Sequence, residues 1–86
     1  MIKNYRKKST VKAIQFTNDN VNEILKILNE NNVSYNYNVS YKYNYGFIEI
    51  QTKNGGSNLY LNDWLIISDE IYPCSKSYFD VNYMGV

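Results

Sequence analysis

The chain has 86 residues, which is enough for one small domain and too few for two. Nine basic and eight acidic residues give a formal net charge of +1, so the overall charge predicts neither a nucleic-acid nor a membrane partner. The sequence has no histidine and a single cysteine, which excludes histidine-based catalytic triads, histidine-ligated metal sites and an intramolecular disulfide.

The N-terminal segment is strongly basic. Five cations and no acid lie within the first twelve residues, whereas the rest of the chain has four lysines against eight acids. Arms of this kind bind phosphate or RNA in some proteins and only increase solubility in others. We define residues 1–9 as a basic arm whose order the sequence leaves open, and its cations Arg6, Lys7 and Lys8 are candidate ligand-binding residues.

A short strand is predicted from Val11 to Phe16, because apolar residues occupy both faces of the segment. Gln15 is a polar amide within it. At that position an amide either satisfies a buried backbone group or faces a ligand, and both alternatives remain open. Gln15 is therefore also a candidate binding residue.

One amphipathic helix is predicted over Asp19–Asn31, because its apolar residues recur at spacings of three and four. Asn20 is predicted to cap the helix, with Glu23 completing a capping box. The helix is predicted to end at Asn31 and Asn32, since asparagine tolerates the left-handed conformation that follows many helices.

The segment from Val33 to Phe47 alternates strictly between apolar or aromatic residues and polar ones. A single strand of this length would span about 50 Å, so we predict a hairpin that turns near Asn38–Lys42. Its tyrosines would share one face and exceed what a small core can bury, because each hydroxyl needs a partner. They form either a recognition surface or a sheet face with hydrated hydroxyls; the residues are Tyr35, Tyr37, Tyr41, Tyr43 and Tyr45.

The C-terminal half is predicted to form short strands separated by turns. An Asn-Gly turn at Lys53–Gly56 predicts a hairpin between Phe47–Thr52 and Ser57–Leu61, and the change of phase at Gly46 predicts a bulge or a bend. A second turn at Leu61–Asp63 leads into the predicted strand Trp64–Ile67. Pro73 indicates that the next segment, Ile71–Cys74, is either an edge strand or irregular, and a last short strand is predicted over Tyr78–Tyr83. The predicted fold is α+β: a single domain with one amphipathic helix on a curved antiparallel sheet of five to six strands.

Several of these segments carry motifs in a recognisable order. They are Tyr5-Arg6-Lys7-Lys8, Val11 to Thr17, Leu61 to Ile67, Ile71-Tyr72-Pro73-Cys74 and Phe79 to Tyr83. In this order they resemble a widespread group of small bacteriophage proteins with a Pro-Gly-Asp-Trp-Ile-Ile turn and strand. The family's Pro-Gly is Leu61-Asn62 here, and Asn62 can adopt the positive φ of that glycine. The resemblance implies a phage gene expressed in a bacterial host and supplies no biochemical activity.

Few residues are of the types that act in catalysis or ligand binding. Trp64 is either a platform that stacks a nucleobase or a core residue that follows an Asx turn at Asp63. Cys74 follows a proline, has no histidine partner and is predicted to be a buried small hydrophobic residue. No paired carboxylates or glycine-rich phosphate loop are present, so we predict a protein that is not an enzyme and uses no metal or cofactor.

The leading hypothesis is that the protein sequesters a nucleotide-type immune signal of the host, using cations for phosphate and aromatic rings for the base. The ligand-binding residues predicted on this basis are Arg6, Lys7, Lys8, Gln15, Tyr41, Tyr43, Trp64 and Tyr72. By analogy with known phage proteins of this kind, a homo-oligomer in the host cytoplasm without membrane association is expected. The alternatives are a module that binds a protein of the host defence or of the phage assembly and, less favoured, binding of RNA or single-stranded DNA.

Overall fold

A computed structural model describes residues 2–6, 10–17, 19–40 and 45–85. For residues 3–6, 10, 39–40, 45 and 84–85 the description is limited to the backbone. Within these ranges the chain forms strands and helices in the order β1 (Lys3–Arg6), β2 (Thr10–Gln15), α1 (Val21–Glu30), β3 (Tyr35–Ser40), β4 (Tyr45–Thr52), β5 (Gly55–Leu59), β6 (Trp64–Ile67), β7 (Ile71–Cys74), α2 (Lys76–Asn82) and β8 (Met84–Gly85).

Five of the strands form one antiparallel sheet in the order β7-β6-β2-β1-β8. Strand β2 lies at its centre, where Gln15 pairs with Trp64 and Ala13 pairs with Ile66. Strand β7 lies at an edge, as Pro73 predicts, because proline has no amide hydrogen to donate to a further strand. Residues 3–6 of the basic arm form β1, whose backbone pairs with β2 and β8.

The other three strands form a separate antiparallel sheet in the order β3-β4-β5. The Asn-Gly turn joins β4 to β5 as predicted, with Gly55 at φ 111°. A hairpin also joins β3 to β4, and its connection falls in residues 41–44, outside the described residues. The bulge predicted at Gly46 is absent, because Gly46 pairs with Val39 in an uninterrupted register.

Helix α1 forms where the apolar stripe predicts it and buries Ile24 and Leu28. It ends as predicted, with Asn32 in the left-handed region at φ 57°. The predicted capping box is wrong: the Asn20 side chain makes no cap hydrogen bond to the helix. Its amide instead bridges the preceding loop, accepting from the Thr17 N–H at 3.0 Å and donating to the Gln15 carbonyl at 2.6 Å.

The C-terminal segment that was predicted to be a strand contains helix α2. Ser75 begins it, and its hydroxyl oxygen accepts a hydrogen bond from the Tyr78 N–H at 3.3 Å. Phe79 is the buried residue of this helix. The segment forms a helix because Ser75 caps its first turn and Phe79 packs on the sheet in a cluster with Ala13 and Ile66.

The two sheets and two helices form layers around two hydrophobic clusters. The first cluster joins α1, the inner face of the three-stranded sheet and one face of the five-stranded sheet; it includes Ile14, Phe16, Ile24, Leu28, Ile48, Ile50, Leu59 and Leu65. The second lies between the opposite face of the five-stranded sheet and α2, with Ala13, Ile66, Cys74 and Phe79 buried. The α+β class is therefore confirmed. The detail of one helix on one sheet is corrected to two helices and two sheets among the described residues.

No helix in the described part of the chain is both long and apolar enough to cross a membrane.

Candidate recognition surface

Five of the eight predicted binding residues cannot be placed as side chains. Arg6 is described through its backbone, which pairs with Thr10 and Met84. Lys7, Lys8, Tyr41 and Tyr43 lie outside the described residues. Their assignment as ligand-binding residues stays a prediction.

The other three, Gln15, Trp64 and Tyr72, lie on one face of the five-stranded sheet. Gln15 pairs with Trp64 across β2 and β6, and Tyr72 pairs with Ile66 across β6 and β7. Residues that pair across antiparallel strands point to the same side. The structure thus brings the three together on the face that α2 covers.

Trp64 is half-buried and stacks on Phe79, with ring centroids 4.0 Å apart and an interplanar angle of 8°. Tyr83 continues the column, with its ring centroid 4.7 Å from that of Phe79. The sequence left two alternatives for Trp64, a platform that stacks a nucleobase and a core residue. Because Phe79 occupies one face of the indole, the geometry agrees with the core residue. Cys74 is buried in the same cluster, at 8% exposure, as predicted.

Tyr72 also takes part in this second cluster. It packs against the buried residues and forms a hydrogen bond with Tyr83. Burial raises the pKa of the Tyr83 hydroxyl above its ordinary value of 10.0, and the bond with Tyr72 adds to the rise. The Tyr83 hydroxyl therefore remains neutral at physiological pH, and its hydrogen bond with Tyr72 connects the end of α2 to the sheet.

The Gln15 side chain binds a backbone group, but this group is exposed and not the buried one that the sequence predicted. Its side-chain Nε2 donates to the Asn62 carbonyl at 3.0 Å. The backbone of Phe16 binds the same turn twice, through Asn62 N–H to the Phe16 carbonyl at 2.7 Å and Phe16 N–H to the Asp63 carbonyl at 2.9 Å. The end of β2 thereby fixes the turn that connects the two sheets.

That turn positions an exposed aromatic ring, Tyr60. Asn62 has φ 71°, a positive value as the sequence predicts. The Asp63 carboxylate accepts from the Tyr60 N–H at 3.0 Å, and the Asp63 N–H donates to the Tyr60 carbonyl at 3.0 Å. Asp63 is thus the turn residue that the sequence suggested, and it holds both backbone groups of Tyr60.

Tyr60 extends a polar and aromatic surface, which we call the outer face of the three-stranded sheet. Alternate residues on these strands, such as Ile48, Ile50 and Leu59, are fully buried, so the residues between them point away from the core. The outer face consists of Asn36, Asn38, Phe47, Glu49, Gln51, Asn58 and Tyr60. It is the opposite face from Tyr35, which packs against the first cluster.

An aromatic pair lies at one end of the outer face. The rings of Phe47 and Tyr60 are 5.6 Å apart at an angle of 37°, and Tyr60 is 46% exposed. Asn58 Nδ2 donates to the Tyr60 hydroxyl at 2.9 Å, which fixes the orientation of that ring. A rigid, partly exposed ring pair is a feature of protein recognition surfaces.

The rest of the outer face carries amides and one carboxylate. Asn36 Nδ2 lies 3.4 Å from Glu49 Oε1, and Asn38 Nδ2 lies 3.3 Å from the Asn36 carbonyl. None of the seven residues that define the face is a cation. The face can therefore exchange hydrogen bonds with a polar partner, but it offers no counter-charge to a phosphate.

A separate cavity of about 230 Å³ lies where the β4–β5 turn meets the β6–β7 turn. Lys53 and Glu70 form an ion pair there at 3.3 Å, and Asp69 adds a second carboxylate. With one lysine against two acids the cavity disfavours an anion. Among the described residues no group of three or more His, Cys, Asp and Glu side chains is placed to hold a metal ion.

The sequence reasoning missed Phe47 and Tyr60 as site residues. It assigned Phe47 to the same face as the tyrosines at odd positions, but the register pairs Phe47 with Asn38, an even position. The four-residue connection after Ser40 reverses the parity of β4 relative to β3. The polar residues Glu49 and Gln51, which alternate with the buried Ile48 and Ile50, were the available signal for this outward face.

No protein-family model, curated protein or solved structure gives a significant match to this chain.

Proposed function

We propose that this protein is a non-enzymatic binding protein and that it recognises another protein through the outer face of the three-stranded sheet. The observation that carries this proposal is the Phe47–Tyr60 ring pair, partly exposed and held in place by Asn58 and Asp63. A large aromatic side chain that is already fixed loses little conformational entropy on binding.

The chemistry around the ring pair supports a polypeptide partner. Asn36, Asn38 and Gln51 are exposed, and their amides can donate to and accept from the backbone of another chain. A surface with two aromatic rings, three asparagines and a single charged side chain resembles binding surfaces built from aromatic and amide residues. The resemblance to bacteriophage motifs supports a phage accessory role, and the partner we propose is a protein of the bacterial host, met in its cytoplasm.

Two features of the outer face favour a protein over a small nucleotide. Small-molecule sites are concave and bury most of their ligand, whereas this surface is one face of a three-stranded sheet. A nucleotide also carries phosphate, and Glu49 is the charged residue of this face. A protein partner requires neither a concave site nor a cation to pair with phosphate.

The test uses a photo-crosslinking residue, benzoylphenylalanine, introduced separately at Tyr60 and at Tyr78. The two tyrosines are matched, because they are 46% and 47% exposed but lie on different elements, the outer face and α2. In host cells we expect one discrete adduct from position 60 that position 78 does not give. The crosslinked protein is then identified by mass spectrometry and purified.

Binding of that purified protein supplies the quantitative readout. Tyr60→Ala should weaken the affinity by about 30-fold, the loss typical of a central aromatic residue, while Tyr78→Ala should change it less than about threefold. Equal crosslinking from both positions, or an affinity that Tyr60→Ala leaves unchanged, would contradict the proposal.

Sequestration of a nucleotide remains a prediction of the sequence. Four of the residues predicted to bind the nucleotide lie outside the described residues: Lys7, Lys8, Tyr41 and Tyr43. A rise in melting temperature with one member of a panel of cyclic and ADP-ribose-derived nucleotides would support it over the protein-binding function. Binding to RNA or single-stranded DNA, the less favoured prediction, would instead show a steep dependence on salt concentration.

A further inference from the structure

We propose that strand β3 pairs antiparallel with β3 of a second copy of this chain, so that two three-stranded sheets form one continuous six-stranded sheet. This inference is independent of the outer face and its partner. It concerns the edge of the sheet, where β3 is the terminal strand.

Hydrogen bonding within the sheet shows which groups of β3 face outward. Gln51 N–H donates to the Ser34 carbonyl at 2.9 Å, which makes Ser34 and Gln51 a bonded pair. Bonded pairs alternate along an antiparallel ladder, so Asn36 bonds to Glu49 and Asn38 bonds to Phe47. The backbone groups of Tyr35, Tyr37 and Val39 consequently point away from β4, toward the open edge.

The other sheet edges in the described part of the chain are protected. Strand β7 has Pro73, which removes one donor; β8 has two residues; and β5 packs against β7. Natural proteins protect edge strands by such means because unpaired backbone groups attract other strands. Strand β3 has six residues, Tyr-Asn-Tyr-Asn-Val-Ser, without a charge or a proline. An uncharged strand of this length is suited to pairing.

A second copy fits this edge because the edge is self-complementary. With the two-fold axis at Tyr37, Tyr37 pairs with Tyr37 of the partner subunit, and Tyr35 pairs with Val39 of the partner subunit. These pairs supply up to about six backbone hydrogen bonds. An uncharged edge also meets its own copy without repulsion between like charges.

The surroundings of Tyr37 favour this register. The residue is 41% exposed although it lies on the inner side of the sheet, and its ring covers Gly46, where a Cβ atom would approach Tyr37 Cε1 to 2.6 Å. Two such rings would meet beside the axis as a cross-strand aromatic pair. An axis perpendicular to the sheet also places both outer faces on the same side of the dimer.

The first test compares two proline variants by sedimentation velocity and native mass spectrometry across the micromolar range. Val39→Pro removes an outward N–H from β3 without removing a bond to β4, and Asn58→Pro does the same at the β5 edge. We expect the original chain and Asn58→Pro to be dimers and Val39→Pro to weaken dimerisation at least tenfold. A monomeric original chain, an open series of larger oligomers, or a dimer that Val39→Pro leaves intact would overturn the proposal.

The second test reads the register directly, in a Cys74→Ala background. Tyr37→Cys places two thiols across the axis at a Cα separation of about 5.5 Å, within the range of a disulfide. Asn36→Cys is the matched control on the same strand, because its two copies are diagonal and separated by more than about 7 Å. Mild oxidation should link most of the Tyr37→Cys chains and few of the Asn36→Cys chains. Equal linkage of both variants, or none of either, would overturn the proposed register. Circular dichroism confirms that each variant is folded.

Discussion

Gly46 shows how a missing side chain can determine local packing. The ring of Tyr37 takes the space that a Cβ atom would need, with Tyr37 Cε1 at 2.6 Å and its hydroxyl oxygen at 2.7 Å from that position. An aromatic ring that covers a glycine on the neighbouring strand replaces the side-chain contact that the glycine lacks. Gly46 therefore marks a close approach of ring to backbone and not a bulge, since the change of phase comes from the connection after Ser40.

A Gly46→Ala substitution should destabilise the protein by about 1 to 3 kcal/mol, because the added methyl group displaces the Tyr37 ring. Gly56→Ala is the matched control on the adjacent strand. The nearest atom to its Cβ position is Gln51 Nε2 at 3.5 Å, an ordinary contact. That control should be neutral or stabilising by up to about 1 kcal/mol. Urea unfolding measures both, and equal stability of the two variants would show that Tyr37 does not constrain Gly46.

Two asparagines show what residue type can and cannot predict. Asn62 has the positive φ that the sequence predicts for it, because backbone preference depends on the residue itself. Asn20 was expected to cap α1, but its amide bonds to Thr17 and Gln15 instead. The partner of a side chain depends on the path of the loop, which the local sequence does not contain.

At the scale of elements, periodicity predicted α1 and the Asn-Gly dipeptide predicted the β4–β5 hairpin. Helix α2 was missed for a physical reason. Its segment contains Tyr78, Phe79 and Val81, residues that favour strands, and its one buried side chain gives no helical repeat. Tertiary packing of Phe79 between Trp64 and Tyr83 outweighs that preference.

Ser75→Ala should cost about 1 kcal/mol of stability, because the first turn of α2 loses the acceptor for the Tyr78 N–H. Ser77→Ala is the control: it replaces an exposed serine inside the same helix and should change stability by less than about 0.5 kcal/mol. Thermal unfolding followed by circular dichroism measures both. Equal losses from the two variants would contradict the assigned cap.

The candidate site was less predictable than the fold class. Alternation along Val33–Phe47 predicted strands, but the face that Phe47 occupies depends on the parity of the connection after Ser40. A shift of one residue in that connection moves every later side chain of the strand to the other face. Tyr60 became part of the surface through the Asp63 turn, a contact between neighbouring elements that alternation does not report.

At the scale of the whole molecule, strands β2, β6 and β7 of the five-stranded sheet are covered on both faces. Neighbouring residues of β6 point in opposite directions: Leu65 lies in the cluster beneath α1, and Ile66 lies in the cluster beneath α2. Both are fully buried. The protein thus has two small hydrophobic cores, one on each face of the same sheet. If either helix unfolded, apolar residues of that sheet would be exposed to solvent.

Leu65→Ala and Ile66→Ala should each cost about 2 to 5 kcal/mol, because each leaves a cavity in a different cluster. Val81→Ala, at a residue that is 82% exposed, should cost less than about 0.5 kcal/mol. Far-UV circular dichroism and Trp64 fluorescence should report a single coincident transition in both core variants, since the clusters share β6. Separate transitions would show that the two layers unfold independently.

The separation of the outer face from both cores bears on the use of this protein as a scaffold. Asn36, Asn38 and Gln51 are exposed, while the isoleucines that hold β4 in place face the other way. These outward positions can be randomised in a display library without replacing a buried side chain. A fold of 86 residues with one buried cysteine and no disulfide would also suit expression in a reducing compartment. New binding specificities could then be selected on the same β-sheet.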